Sequence, residues 1–346
     1  MDPNRTGEVA PPARFPLTEE QVMGPRFLDA FREASQAWSL ELYDPGAGGF
    51  REKPGAPADL LTTADMVWLR YACHVQDDDL GAPDAGGIIA FLDAPLAEQT
   101  GHKLWMATRA LRILGGEPGR APARYDGIMN AEAFAAHVHR EFALKEEHHH
   151  EMLGLLPLIV SSGDPRFLEA ALKAMADSQG LHGRWPRDAT RPFNWSRTFA
   201  YTSLHLAAGR LPPQPQKILD LMERELACAD KIMVSPLGSY HHMDALFVLV
   251  RLPAAMRHER TQEIRDKIRR GLPAFRREFL EKQDRLAGSP HGSMLACAHI
   301  LGLLQEAAPG ELPSQRPFRF DWDRLDLYEC AVLKPRRRSD GRGSRS

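Results

Sequence analysis

The sequence predicts an all-α fold in which six apolar helices stand inside six amphipathic ones, as a closed ring of helical hairpins. Three observations carry this expectation. Strand signals are nearly absent, with no run of alternating β-branched residues and no Asn-Gly pair between apolar segments. Helical periodicity runs through most of the chain. One local plan recurs six times at roughly 40 to 50 residue intervals, the spacing of helical-hairpin repeats: a loop with Gly, Pro or Asp, then a short polar cluster, then an apolar helix.

The six inner segments follow in order. The first opens at Leu61-Thr62-Thr63-Ala64-Asp65. The second opens at Gly101-His102 and is stopped by Gly115-Gly116. The third opens at His148-His149-His150-Glu151 and is stopped by Ser161-Ser162-Gly163. The fourth opens at Asn194-Trp195-Ser196-Arg197 and is stopped by Gly209 and Pro212-Pro213. The fifth opens at Tyr240-His241-His242-Met243-Asp244 and is expected to stop at Pro253. The sixth opens at His291-Gly292-Ser293 and stops before Pro309-Gly310. Six amphipathic helices alternate with them: Phe27 to Leu40, Ala85 to Leu96, Ala131 to Leu144, Pro165 to Ser178, Lys217 to Ala229 and Glu259 to Leu280. A helix apolar nearly all round must be buried, whereas one with a charged face lies outside. The expected organisation is an extended N-terminal segment over 1–24, the helical domain over 25–310, and a C-terminal extension over 311–346. From about residue 334 that extension becomes a basic disordered tail.

Composition narrows the class. The chain has 346 residues, 43% of them hydrophobic and 26% charged, with a formal net charge of −2, so nothing calls for nucleic acid or an anionic membrane as a partner. No apolar stretch approaches the ~18 residues of a membrane span. The opening MDPNRTGEVAPPARFP has no apolar signal-type region, from which a cytoplasmic location is expected. Cys73, Cys228, Cys297 and Cys330 are far apart and form no CxxC pair, so neither a disulfide framework nor a zinc ribbon is signalled.

The layered pattern resembles the α/α-toroid superfamily, which includes terpene-cyclase domains, prenyltransferase β subunits, polysaccharide lyases and six-hairpin glycosidases. The loop Asp44-Pro45-Gly46-Ala47-Gly48-Gly49-Phe50 is similar to the Gly-Gly-Phe turns of those repeats, and Gly183-Arg184-Trp185-Pro186 is a looser counterpart. The resemblance covers residues 25 to 310. It implies an (α/α)6 toroid and says more about fold than about reaction.

In such a ring the inner helices run parallel and their first turns meet at one mouth. Seven of the fourteen histidines sit at these starts: His102, His148, His149, His150, His241, His242 and His291. Parallel helix N-termini add free N–H groups and partial positive charge. An anionic ligand is therefore expected, and an acidic saccharide such as a uronate is the favoured small-molecule substrate. Mapped by residue type onto toroid lyases, His149 or Tyr201 is the base, and His242 or His291 is the second acid–base group. Asn194 and Arg197 neutralise the carboxylate, while His102, Tyr240, His241, Asp244 and Asp65 complete the binding pocket. Arg197, Tyr201 and His205 share one helix face at i, i+4 and i+8, and His241 and Asp244 are spaced so that the carboxylate orients the imidazole. Thr62, Thr63, Asn194 and Ser293 are equally readable as helix caps.

Two other readings use the same residues. In a terpenoid cyclase, Trp68, Trp105, Trp195, Phe199 and Tyr240 line the pocket and Asp65 or Asp244 is the acid. In a noncatalytic scaffold, the concavity binds a peptide or protein. No cofactor is expected. A divalent metal is possible, but consecutive helical residues point about 100° apart, so the His148–His150 run supplies at most one or two ligands and needs help from His241, His242, Asp244 or His291. The acidic run Asp77-Asp78-Asp79 is expected at the opposite, solvated rim.

Overall fold

The computed structural model describes residues 14–75, 83–187, 194–228, 240–288, 290–322 and 324–334, with the side chains of 225–228, 285–288 and 290–292 outside that description. The described chain is mostly helical, and its one sheet is the two-stranded pairing of Tyr43–Asp44 with Gly49–Phe50. The helices are α1 (Glu19–Met23), α2 (Phe27–Leu42), α3 (Leu60–Ala72), α4 (Ala85–Asp93), α5 (Gly101–Ile113), α6 (Ala131–Val138), α7 (His149–Leu153), α8 (Leu156–Ser161), α9 (Pro165–Asp177), α10 (Trp195–Ala207), α11 (Pro215–Cys228), α12 (Tyr240–Met256), α13 (Thr261–Gly288) and α14 (Pro290–Ala307). Among the described residues no helix is long and apolar enough to cross a membrane. The acidic run Asp77-Asp78-Asp79 and the tail beyond Lys334 lie outside the described residues.

The apolar helices touch in chain order. α3 packs on α5, α5 on α7, α7 on α10, α10 on α12 and α12 on α14, and α14 lies against α3. The amphipathic helices flank this succession: α4 lies on α3 and α5, α9 on α8 and α10, α11 on α12, and α13 on α12 and α14. The buried side chains form one cluster running from Leu17 to Leu333.

Local chemistry explains the element ends. Asp59 caps α3 by accepting from the Thr62 amide at 2.9 Å. Thr63 is no cap; its hydroxyl accepts from the Phe50 amide at 2.9 Å and ties the hairpin loop to the helix. Within that loop Gly48 has φ +73°, and a Cβ there would fall 2.8 Å from the Gly87 carbonyl oxygen, so only glycine lets the loop meet α4. The third apolar segment is two helices, α7 and α8, and not one. Pro157 removes an amide at the break, and Gly154 allows the chain to lie against Gly101, where a Cβ would be 3.0 Å from backbone atoms. Pro253 does not stop α12. It sits inside the last turns, and the helix continues to Met256.

The segment after α14 is built into the core. Phe318, Phe320, Trp322, Tyr328 and Leu333 are all buried. The Trp322 ring lies 4.4 Å from Trp68, 4.9 Å from Trp105 and 4.9 Å from Phe199, which come from α3, α5 and α10. Its indole N–H donates to His299 Nδ1 of α14 at 3.0 Å, and Phe320 stacks on Phe247 of α12 at 5.4 Å. The Arg319 amide donates to the Ala72 carbonyl at the end of α3, and the Tyr71 hydroxyl donates to Asp321 at 2.7 Å. Arg109 clamps the segment: its guanidinium lies 4.1 Å over the Trp68 ring, donates to the Tyr328 hydroxyl at 2.8 Å and also reaches the Asp321 carbonyl. Residues from five apolar helices thus surround one extended strand of chain.

Candidate functional site

A cavity of about 300 Å³ opens where α5, α7, α10 and α12 begin. Its walls are mainly carbon: Trp105, Leu153, Phe199 and Ala200, with Trp322 from the C-terminal segment between the helices. Its polar groups are His102, His149, His150, Ser196, Tyr240, His241 and Asp244.

Asp244 is placed by one turn of α12 and is 1% exposed. The Ser196 hydroxyl, in the first turn of α10, donates to its Oδ2 at 2.7 Å. Burial in this mostly apolar wall pushes the Asp244 carboxyl up to about 8, and the serine hydrogen bond only partly opposes that rise. Near neutral pH the group is therefore chiefly a carboxylic acid, able to donate a proton. Tyr240 feels the same region: burial first, then the carboxylates of Asp65 and Asp244, hold its phenol well above the usual range. Asp65, 3% exposed on α3, thus belongs to the neighbourhood of α12 without lining the cavity.

The histidines collect on the other helices. His148 is the N-cap of α7, with extended backbone (φ −59°, ψ 139°), and its Nδ1 accepts from the His150 amide at 3.3 Å. His149 is 3% exposed, and its Nδ1 is buried without a hydrogen-bond partner. His150 stacks on His102 of α5, centroids 4.5 Å apart and planes 17° from parallel. Burial pushes His150 down to about 3, with His102 and His148 adding to the effect, and drives His149 further down. These imidazoles are neutral near pH 7 and offer no positive charge to an anion. The nitrogens of His148, His149 and His150 lie within 4.8 Å of one another. The expected 100° divergence fails because His148 precedes the helix, and its extended backbone swings its ring back over the other two.

The expected residues divide sharply. His102, His149, Tyr240, His241 and Asp244 line the cavity. Arg197, Tyr201 and Asn194 do not. Asn194 is the cap of α10, accepting from the Arg197 amide at 2.8 Å. Arg197 is buried and donates to the carbonyls of Glu146 and Glu147, both at 3.1 Å, in the turn before α7. Tyr201 packs edge-to-face on Trp185 at 5.5 Å, and burial raises its phenol to about 12, too high for a base. His205 Nδ1 donates to the Tyr201 carbonyl at 2.7 Å. That stripe therefore shares a face, but a face turned away from the cavity. His242 is half-buried and outside the lining, and the His291 side chain is outside the described residues. Among the expected wall aromatics, Trp105, Phe199 and Tyr240 line the cavity and Trp68 and Trp195 do not. Ser196 and Trp322 were not anticipated. Phe318, Phe320 and Trp322 alternate at period two, which is the mark of an extended segment with one buried face.

Comparison with protein-family models, with curated proteins and with solved structures returns no match for this chain.

Proposed function

We propose that the helices close into an (α/α)6 ring of the α/α-toroid kind, and that its mouth is an active site working by general-acid catalysis. Closure is supported by the return contact of α14 on α3 after four intervening apolar helices or helix pairs. The substrate class is a compact, uncharged and largely apolar molecule bearing an oxygen to be protonated. The reaction class is a carbon–oxygen lyase or a cyclising isomerase, like the terpenoid cyclases of that superfamily.

One observation carries this reading: a buried carboxyl, poised to keep its proton near neutral pH, lines the same cavity as the aromatic faces of Trp105, Phe199 and Trp322. An acid of this strength suits an oxygen atom of an alcohol, epoxide or carbonyl. Asp244 gives its proton to that oxygen, the carbon–oxygen bond lengthens, and positive charge develops on carbon. Aromatic faces attract such a cation. Loss of a proton from a neighbouring carbon, returned to the Asp244 carboxylate or passed to His241, completes a redox-neutral lyase or isomerase cycle with no co-reactant.

The acidic-saccharide expectation loses its supports. Its cation, Arg197, lies outside the cavity lining and holds two backbone carbonyls, and of its two candidate bases only His149 lines the cavity, Tyr201 being buried elsewhere. One amide at each of the starts of α3, α7 and α10 already donates to a capping side chain, Asp59, His148 or Asn194. A peptide-binding scaffold fits poorly with a cavity of about 300 Å³, which is at the small-ligand end of the range. The test is a product screen by mass spectrometry on isoprenoid alcohols and epoxides against uronate oligosaccharides. Conversion of the apolar compounds, lost in Asp244→Asn, is the expected result. Cleavage of uronates that survives Asp244→Asn would overturn the assignment.

A further inference from the structure

We propose that His148, His149 and His150 form a binding site for one divalent transition-metal ion of the Zn²⁺ or Co²⁺ type, with an open coordination position toward the cavity. Three geometric facts carry it. First, the ring nitrogens fall within 4.8 Å of one another; ligands ~2.0–2.1 Å from a tetrahedral Zn²⁺ sit about 3.3–3.4 Å apart, so side-chain rotations that draw the nitrogens inward by up to about 1.5 Å complete the set. Second, the three ring centroids are mutually 4.3 to 4.6 Å apart, an arrangement created by the extended backbone of His148 at the cap of α7. Third, His149 is 97% removed from solvent yet its Nδ1 meets no donor, and a buried nitrogen left so is costly unless something occupies it.

The ligand chemistry selects the ion. Imidazoles without thiolates or carboxylates favour Zn²⁺, Co²⁺, Ni²⁺ or Cu²⁺ over Mg²⁺ or Ca²⁺. Of the two carboxylates that flank the run, Glu151 is held by Arg124 at 2.8 Å and Glu147 accepts from the His148 amide at 3.0 Å. Three protein ligands with a fourth position free is the pattern of reactive zinc sites, whereas structural sites are closed by a fourth side chain. Because His149 and His150 line the cavity, the free position faces the space a substrate would fill. The proposal stands apart from the role of Asp244.

The experiment uses tag-free full-length protein, stripped with chelator and titrated with Co²⁺ by visible absorption and with Zn²⁺ against a chromophoric chelator. One ion per chain is expected at sub-micromolar affinity. His148→Asn keeps a good helix cap while removing a ligand, and His150→Gln removes another; each should weaken binding more than about 100-fold, beyond what loss of a supporting contact costs. Circular dichroism and thermal melting report whether each variant stays folded, and His139→Ala, exposed and outside the cavity lining, should bind as the parent does. Absence of binding below about 10 μM, on the affinity scale of ordinary ligands, or affinity unchanged in both folded ligand variants, would overturn the site.

Discussion

Asp244 and Arg197 stand near the starts of adjacent apolar helices, both are at least 95% buried, and their fates are opposite. Arg197 points at the turn before α7, where its Nη2 donates to two carbonyls and holds that turn, while its Nε and Nη1 are buried without a hydrogen-bond partner. Asp244 meets one hydroxyl, aromatic carbon and an open cavity, so its charge is suppressed and its proton retained. Burial alone distinguishes neither. What differs is the company: one nitrogen of Arg197, Nη2, holds two backbone carbonyls, whereas Asp244 has one hydroxyl partner and a cavity in front of it.

The contrast can be broken most severely at Asp244. Asp244→Asn replaces a neutral acid by a neutral amide of similar shape, and turnover should fall by roughly 10²–10⁴-fold, the usual worth of a general acid. The parent rate should decline as pH rises through about 8, because the acid form is lost there. The stability consequence has a definite sign. The carboxyl titrates near 3.8 when unfolded and near 8 when folded, so the unfolded chain binds fewer protons in between. Chemical denaturation should show stability falling from about pH 4 to pH 8 and levelling above, with a shallower slope in Asp244→Asn. A flat parent profile would contradict the raised value.

Trp322→Ala is expected to have the next largest effect. It removes a ring packed among Trp68, Trp105 and Phe199, and should cost about 3–5 kcal/mol in urea unfolding. A loss below about 1 kcal/mol would mean the C-terminal segment is not part of the core. Arg197→Ala should cost about 1–3 kcal/mol, by orphaning the carbonyls of Glu146 and Glu147. Activity per folded molecule should be retained; a collapse of turnover in folded protein would return Arg197 to the site. Tyr201→Phe should be smallest, within about 1 kcal/mol and without change in rate, since the phenol does not reach the cavity.

Much of the helical architecture is legible in the residues themselves. Apolar and amphipathic segments alternate as the pattern requires, and Asn194 caps α10 as its type suggests. What misled is non-local. At the break between α7 and α8, Pro157 is visible in the sequence, but the approach of Gly154 to Gly101 is contained in no window of it. Pro253 is tolerated because it falls in the closing turns of α12. The cavity residues were legible by position at helix starts, yet the Arg197, Tyr201 and His205 stripe was assigned to the wrong side. Spacing reveals that three residues share a face and is silent on what the face meets. Trp322 is hidden for the same reason: the rings it packs on lie more than a hundred residues away on α3, α5 and α10, and only its alternation with Phe318 and Phe320 hints at burial.

The protonation state of Asp244 at neutral pH tests the account most directly. Infrared difference spectroscopy of the parent against Asp244→Asn should show a protonated carboxyl stretch at pH 7 that disappears as pH rises through about 8. A carboxylate signal already complete at pH 6 would contradict the account, because no buried acid would then be waiting in the cavity.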